Sequence, residues 1–199
     1  MLKRIIDGHW GLVPGLQKLA IDNCIEAYNL LQGVISQLFR EIATHRPGQL
    51  STVGLGTFVD PRNGGGKLNG RTTEDIVRVM SIDGANYLYY KAFPIDVAIV
   101  RGTTADMNGN VTLEKEALTL ETLAIAMAER NSSDIVIAQV ERFSEFNTLN
   151  SHQVKIPGVM VDCVVVAQQT HHWQTFASPI TRHFPVNCAW LRVPLRRCL

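Results

Sequence analysis

The sequence lacks nearly everything that would mark a membrane, nucleic-acid or metal-binding protein. No apolar run approaches the ~20 residues that a membrane-spanning helix requires, and the start, MLKRIIDGHW, has no long apolar core of a secretory leader. The formal net charge is only +1 with 19% charged residues, so no excess of one sign argues for nucleic acid or a membrane surface as partner. These absences point to a cytoplasmic protein. The four cysteines, at positions 24, 163, 188 and 198, form no CxxC pair and no zinc-ligand spacing. Cys24, behind a helical segment, and Cys163, inside an apolar run, are expected to be buried free thiols. His171 and His172 would point to opposite faces of a strand, and no cysteine or carboxylate motif lies near them. A surface pair is expected there rather than a metal site. Neither internal repeats nor low-complexity linkers divide the chain.

What is present is a 199-residue chain with 46% hydrophobic residues, enough for one domain around one core. Periodicity predicts short helical and strand pieces over residues 16–21 and 25–28, an amphipathic helix over 34–43 and a strand over 50–55. Thr73, Glu74 and Asp75 read as the cap of a short segment. Two β-rich runs, 87–91 and 95–101, flank a Phe-Pro turn, and Asn108-Gly109-Asn110 reads as a hairpin turn leading into 111–113. A helix is expected over 118–130, and the most continuously apolar strands over 134–140 and 159–167. Continuous apolar strands between helices imply a sheet covered on both faces, hence an α/β fold.

The most informative stretch is residues 53–67, VGLGTFVDPRNGGGK. A β-branched run passes through Gly-X-Gly-Thr, an Asp-Pro corner and three consecutive glycines, a backbone built to bring main chain close to something. A phosphate-binding P-loop would need glycine at Pro61 and Ser or Thr at Leu68, so that reading fails. With GHWG at residues 8–11 and YNLLQGV at 28–34, this stretch resembles the family I coenzyme A transferases, most closely the acetate/propionate type. The resemblance runs from about residue 2 to about residue 177. It implies an open, mainly parallel α/β sheet with helices on both faces, as in the N-terminal half of that family.

The resemblance also implies a chemistry. In these enzymes a glutamate carboxylate attacks an acyl-CoA thioester, giving an acyl-glutamyl anhydride and then a glutamyl-CoA thioester, before CoA passes to the acceptor acid. Every step passes through a tetrahedral oxyanion, and a donor placed there contributes a factor of roughly 10²–10³. By itself Gln32 would be a surface turn amide, but its flanking motifs match the family's oxyanion donor, although Leu31 stands where relatives commonly carry proline, which implies a less rigid turn. Gly54, Gly56, Thr57 and Phe58 match the loop lining the acyl pocket. His9 and Trp10 match a turn approaching the same pocket, and a purely structural turn is an equal alternative. Glu114, Glu116, Glu121 and Glu141 sit in ordinary helical or hairpin settings and lack the glycine-rich surroundings of the family's nucleophile. That nucleophile belongs to a C-terminal half for which this sequence has no counterpart, so no nucleophile, metal or cofactor is assigned; the CoA thioester is a substrate.

The resemblance further implies an N-terminal strand and glycine-rich segment ahead of GHWG, whereas Met1 stands just before it. After Asp162 no acidic residue follows, while Arg182, Arg192, Arg196, Arg197, Cys188 and Cys198 accumulate. With one choice of synonymous codons, PITRHFPVNCAWLRV at residues 179–193, read from the third base of that string, gives NNPAFSGELRVAA, close to the family's YNPAFSGELRV. The expectation is a partial transferase domain over 1–177 and an out-of-frame tail over 178–199. The function implied is that of a fragment of a short-chain acyl-CoA:carboxylate CoA-transferase, inactive alone and forming homo-oligomers when intact. The alternatives are the α subunit of a two-chain transferase, completed by a β subunit, and a non-catalytic assembly or ligand-binding module.

Overall fold

The computed structural model describes residues 2–132 and 135–172. Contacts divide the chain into two units, the first ending at Pro94 and the second beginning at Ile95. The expected single core is thus not what forms. The apolar interior is split into two clusters in the first unit and one in the second, and the Phe93-Pro94 turn that separates two β-rich runs in the sequence is the division between units.

The first unit opens with β1 (Arg4–Asp7), α1 (Pro14–Ile21), β2 (Glu26–Asn29) and α2 (Gln32–Ala43), in which β1 and β2 pair in parallel. Pro14 sits at the first helical position of α1, where its fixed φ suits the helix and its missing N–H costs nothing. In α2 the buried residues Val34, Ile35, Leu38 and Ile42 fall on one helical face. Burial of such a side chain contributes about 1.5–3 kcal/mol. Three further strands, β3 (Gly48–Ser51), β4 (Val77–Ile82) and β5 (Ala85–Lys91), form an antiparallel sheet in the order β3-β5-β4. Asp83 and Gly84, both at positive φ, make the two-residue turn that pairs Ile82 with Ala85. This hairpin was not expected from the sequence, and residues 73–75 cap no helix: Glu74 pairs with Arg4 and Lys91, and Asp75 with Lys67. The charges of Lys91 and Arg4 hold the Glu74 carboxyl below its ordinary range.

The second unit contains β6 (Val97–Arg101), β7 (Thr104–Ala105), β8 (Val111–Thr112), α3 (Thr122–Arg130), β9 (Ile135–Val140), β10 (Arg142–Phe143), β11 (Val154–Ile156) and β12 (Cys163–Val166). β12-β9-β6 is a parallel sheet, and β10-β7-β8-β11 a mixed one. Ala98, Val100, Val136, Ala138 and Val140 bury one sheet face together with Ala126 of α3. The fold is therefore α/β, with its parallel pairing divided between the units and antiparallel ribbons added to each. The expected hairpin at 108–110 is present: Asp106 accepts the N–H groups of Asn108 and Asn110 at 2.9 and 3.0 Å, and Gly109 takes φ +81°.

Three boundaries differ from expectation for local reasons. β3 ends at Ser51 rather than at 55, because Gly54 at φ +101° cannot continue a strand. α3 begins at Thr122 rather than at 118, behind Leu120 at φ +44°. A short 3-10 turn, Gly158–Met160, follows Pro157, and β12 starts only at Cys163. Both described cysteines, Cys24 and Cys163, are exposed rather than buried: Cys24 lies beyond the end of α1, and β12 is an edge strand among the described residues. Cys188, Cys198 and the tail over 178–199 lie outside the described residues. The expectation of a surface histidine pair is corrected by half: His171 is exposed, whereas His172 is buried, its Nε2 3.2 Å from Glu116, which also pairs with Arg101 at 2.8 Å. No helix among the described residues is long and apolar enough to cross a membrane.

Candidate functional site

The site is built where the parallel strands of the first unit end. In open α/β sheets the carboxyl ends of parallel strands form the rim at which ligands bind. β1 ends in Asp7, whose Oδ1 accepts the Gly8 N–H at 2.7 Å and the His9 N–H at 3.3 Å, fixing the start of the GHWG turn. Trp10 is buried and donates its indole N–H to the Tyr28 carbonyl at 3.2 Å, while His9 stays exposed. β2 ends in Asn29, and Leu30 donates its N–H to the Asp7 carbonyl at 3.0 Å. The chain then turns at Leu31 and enters α2 at Gln32.

Gln32 is the first residue of this twelve-residue helix and is exposed. Gly8 lies directly against it, since a Cβ at position 8 would stand 2.6 Å from Gln32 Oε1 and 3.1 Å from its Cα. A side chain at position 8 would push the Gln32 carboxamide aside and press on the Gln32 backbone, so glycine suits this close approach. Leu31 has φ −69°, near the roughly −65° that proline would impose, so the turn has the proline geometry without the proline.

The glycine-rich loop joins this rim from the other side. Gly66 accepts the Asn29 N–H at 2.8 Å and donates its own to the Phe58 carbonyl at 3.0 Å; at φ +75°, a Cβ there would meet the Asn29 carbonyl at 2.8 Å. Gly54 is forced twice over, because its φ is +101° and a Cβ would meet both the Tyr90 hydroxyl and Val59 at 2.5 Å. Between them Gly56, Thr57 and Phe58 form an exposed crest. The structure thus brings Gly8, His9, Trp10 and Gln32 together on one rim and ties the crest residues to it through Gly66.

The residue that shapes this loop, Asp60, was not singled out in the sequence. Its side chain is completely buried. One carboxylate oxygen accepts the Gly56 N–H at 2.8 Å, and the other accepts the Arg62 N–H at 3.0 Å and its Nε at 2.9 Å. The Arg62 guanidinium, helped by these backbone donors, holds the Asp60 carboxyl far below the usual range. Tyr90 pins the start of the loop by donating its hydroxyl to the Val53 carbonyl at 2.7 Å, and burial, with the nearby Asp60 charge, pushes its pKa up to about 12. Asn63 closes the crest by donating to the carbonyls of Gly56 and Thr57, both at 3.1 Å. The visible signal for Asp60 was the Asp-Pro corner, which reads as a turn and hides a buried charge.

A glycine-rich loop thus lies across the ends of parallel strands, beside a helix whose first residue carries an exposed carboxamide. The chain belongs to the coenzyme A transferase family, whose profile matches residues 2–167. It is 51% identical over 168 residues to a caffeate CoA-transferase of Acetobacterium woodii, covering 84% of this chain and 32% of that one. It is 46% identical over 166 residues to the acetate CoA-transferase YdiF of Escherichia coli K12, covering 83% and 31%. The crystal structure of the acyl-CoA transferase YdiF of Escherichia coli O157:H7, in a thioester complex with CoA, superposes with a TM-score of 0.86 at 43% identity, covering 92% of this chain and 36% of that one. The chain spans about a third of the length of these relatives.

Proposed function

We propose that this chain is a section of a short-chain acyl-CoA:carboxylate CoA-transferase, in which Gln32 donates a hydrogen bond to the oxyanion and Gly54, Gly56, Thr57 and Phe58 line the acyl pocket. The observation that carries the reading is the close approach of Gly8 to Gln32 beside the glycine-rich loop. It gathers three motifs distant in sequence onto one rim. The Gln32 carboxamide sits at the positive end of the α2 dipole, where negative charge is stabilised. In the reaction a carboxylate oxygen bonds to the thioester carbon, charge collects on the carbonyl oxygen, and the C–S bond then breaks to release the CoA thiolate. The thiolate attacks the resulting anhydride and expels the acyl group as a carboxylate, leaving CoA on the enzyme for the acceptor acid.

The attacking glutamate is assigned to a further part of the enzyme, either a continuation of one long chain or a second subunit. The relatives' greater length supports this reading. The test is CoA exchange between acetyl-CoA and propionate, assayed with the purified 199-residue chain alone. No turnover above a protein-free control is expected. Turnover by the chain alone would place a nucleophile among its own residues and overturn the assignment.

A further inference from the structure

A cavity of the first unit, about 550 Å³, is lined by Trp10 of the GHWG turn, by α1 and by residues 68–70. Trp10 and Leu68 give it an apolar wall, and no charged side chain lines it. Its polar lining consists of carboxamides. Asn69 is fully engaged, donating to the carbonyls of Ala20 and Ile25 and accepting from Thr72. Gln17, Asn23 and Asn29 have no side-chain hydrogen-bond partner among the described residues. For Asn29 the consequence is sharpest, because its Oδ1 is buried and unpaired. Buried polar atoms in native structures are nearly always paired. Among the described residues no hydrogen bond fixes the Asn29 carboxamide, which lines the cavity.

We propose that this cavity binds a neutral secondary amide, with Asn29 as its anchor. A carboxylate or phosphate finds no cation on the wall, and a purely apolar ligand would leave the buried Asn29 oxygen unmatched. A secondary amide offers one acceptor and one donor, the pair that a free carboxamide complements, while its flanking methylenes pack on Trp10 and Leu68. The inference rests on the CoA-transferase reading in one respect: the pantetheine arm of an acyl-CoA carries two such amides. A peptide would present the same chemistry.

The experiment is a titration of the 15N-labelled 199-residue chain with pantetheine, with N-acetylglycine methylamide, with an amide-free thiol of equal length and with CoA, read at the Trp10 indole and Asn29 side-chain resonances. At least one amide probe is expected to shift both resonances saturably, at least tenfold more tightly than the amide-free thiol. Asn29→Leu removes no side-chain hydrogen bond among the described residues and should weaken that binding at least tenfold. Gly70→Leu, whose Cβ meets nothing within 4 Å, should block the cavity while leaving Asn29 in place. Equal binding of the amide-free thiol, or amide binding unchanged in both variants, would overturn the proposal. CoA binding that survives both variants would overturn it while leaving the transferase reading intact. Binding of the peptide amide but not of pantetheine or CoA would support the site and count against the CoA reading.

Discussion

Asp60 shows how one side chain can set the shape of a glycine-rich loop. Its carboxylate, fully buried, gathers the Gly56 N–H, the Arg62 N–H and the Arg62 guanidinium, and so bends the crest of the glycine-rich loop. Because its pKa is lowered on folding, the stabilisation it brings is complete above the ordinary aspartate value of 3.8 and is lost as pH falls toward the folded value. Asp60→Asn is therefore expected to melt at lower temperature than the parent at pH 7 and to show a shallower loss of stability below about pH 4. Thermal melts between pH 2 and 7 check this, and parallel curves would contradict it. The glycines divide by surroundings. Gly54→Ala meets Tyr90 and Val59 and should cost about 2–4 kcal/mol, whereas Gly56→Ala, strained only by φ +74°, should cost about 1 kcal/mol. Equal costs in denaturant melts would contradict the packing described. The glycines were legible in the sequence because they punctuate it, whereas Asp60 was not, since a residue string does not say which carboxylate is buried.

At the scale of elements, the turn between β2 and α2 is already proline-like. Leu31→Pro is expected to cost under about 1 kcal/mol, against about 3 kcal/mol or more for Phe39→Pro inside α2. Comparable losses for the two would show that the Leu31 N–H or side chain matters more than its backbone angle. The amphipathic α2 was legible because its period is strong and its apolar face is buried. The β4–β5 hairpin is hidden in the sequence although Asp83-Gly84 is a two-residue turn signal, because the β4 residues alternate weakly: in Val77–Ile82 only the first is buried. The sequence makes β3 look longer than it is because β-branched residues continue past Ser51, and the backbone angles of Gly54 and Gly56 show that the strand has stopped.

At the scale of the molecule, the sheet β12-β9-β6 buries one face and leaves Val97, Ile99, Ile135 and Val165 exposed on residues that the sequence pattern would bury. Sequence alone reads such strands as covered on both sides, and the division into two units was hidden because no linker composition marks Pro94-Ile95. Apolar faces of this kind promote self-association. Ile99→Lys, at a side chain 74% exposed, is expected to raise the monomeric fraction in sedimentation without lowering the melting temperature. A loss of stability would mean that Ile99 is buried within the chain.

The role proposed for Gln32 is to stabilise the oxyanion of a CoA transfer whose nucleophile lies elsewhere in the enzyme. Its most direct test is steady-state kinetics of an intact CoA-transferase carrying this section, with and without Gln32→Ala, using acetyl-CoA and propionate. A donor acting on the transition state should lower kcat by roughly 10²–10³ and leave KM for acetyl-CoA within about threefold. An unchanged kcat, or a rise in KM alone, would reduce Gln32 to a residue of the turn and contradict the account.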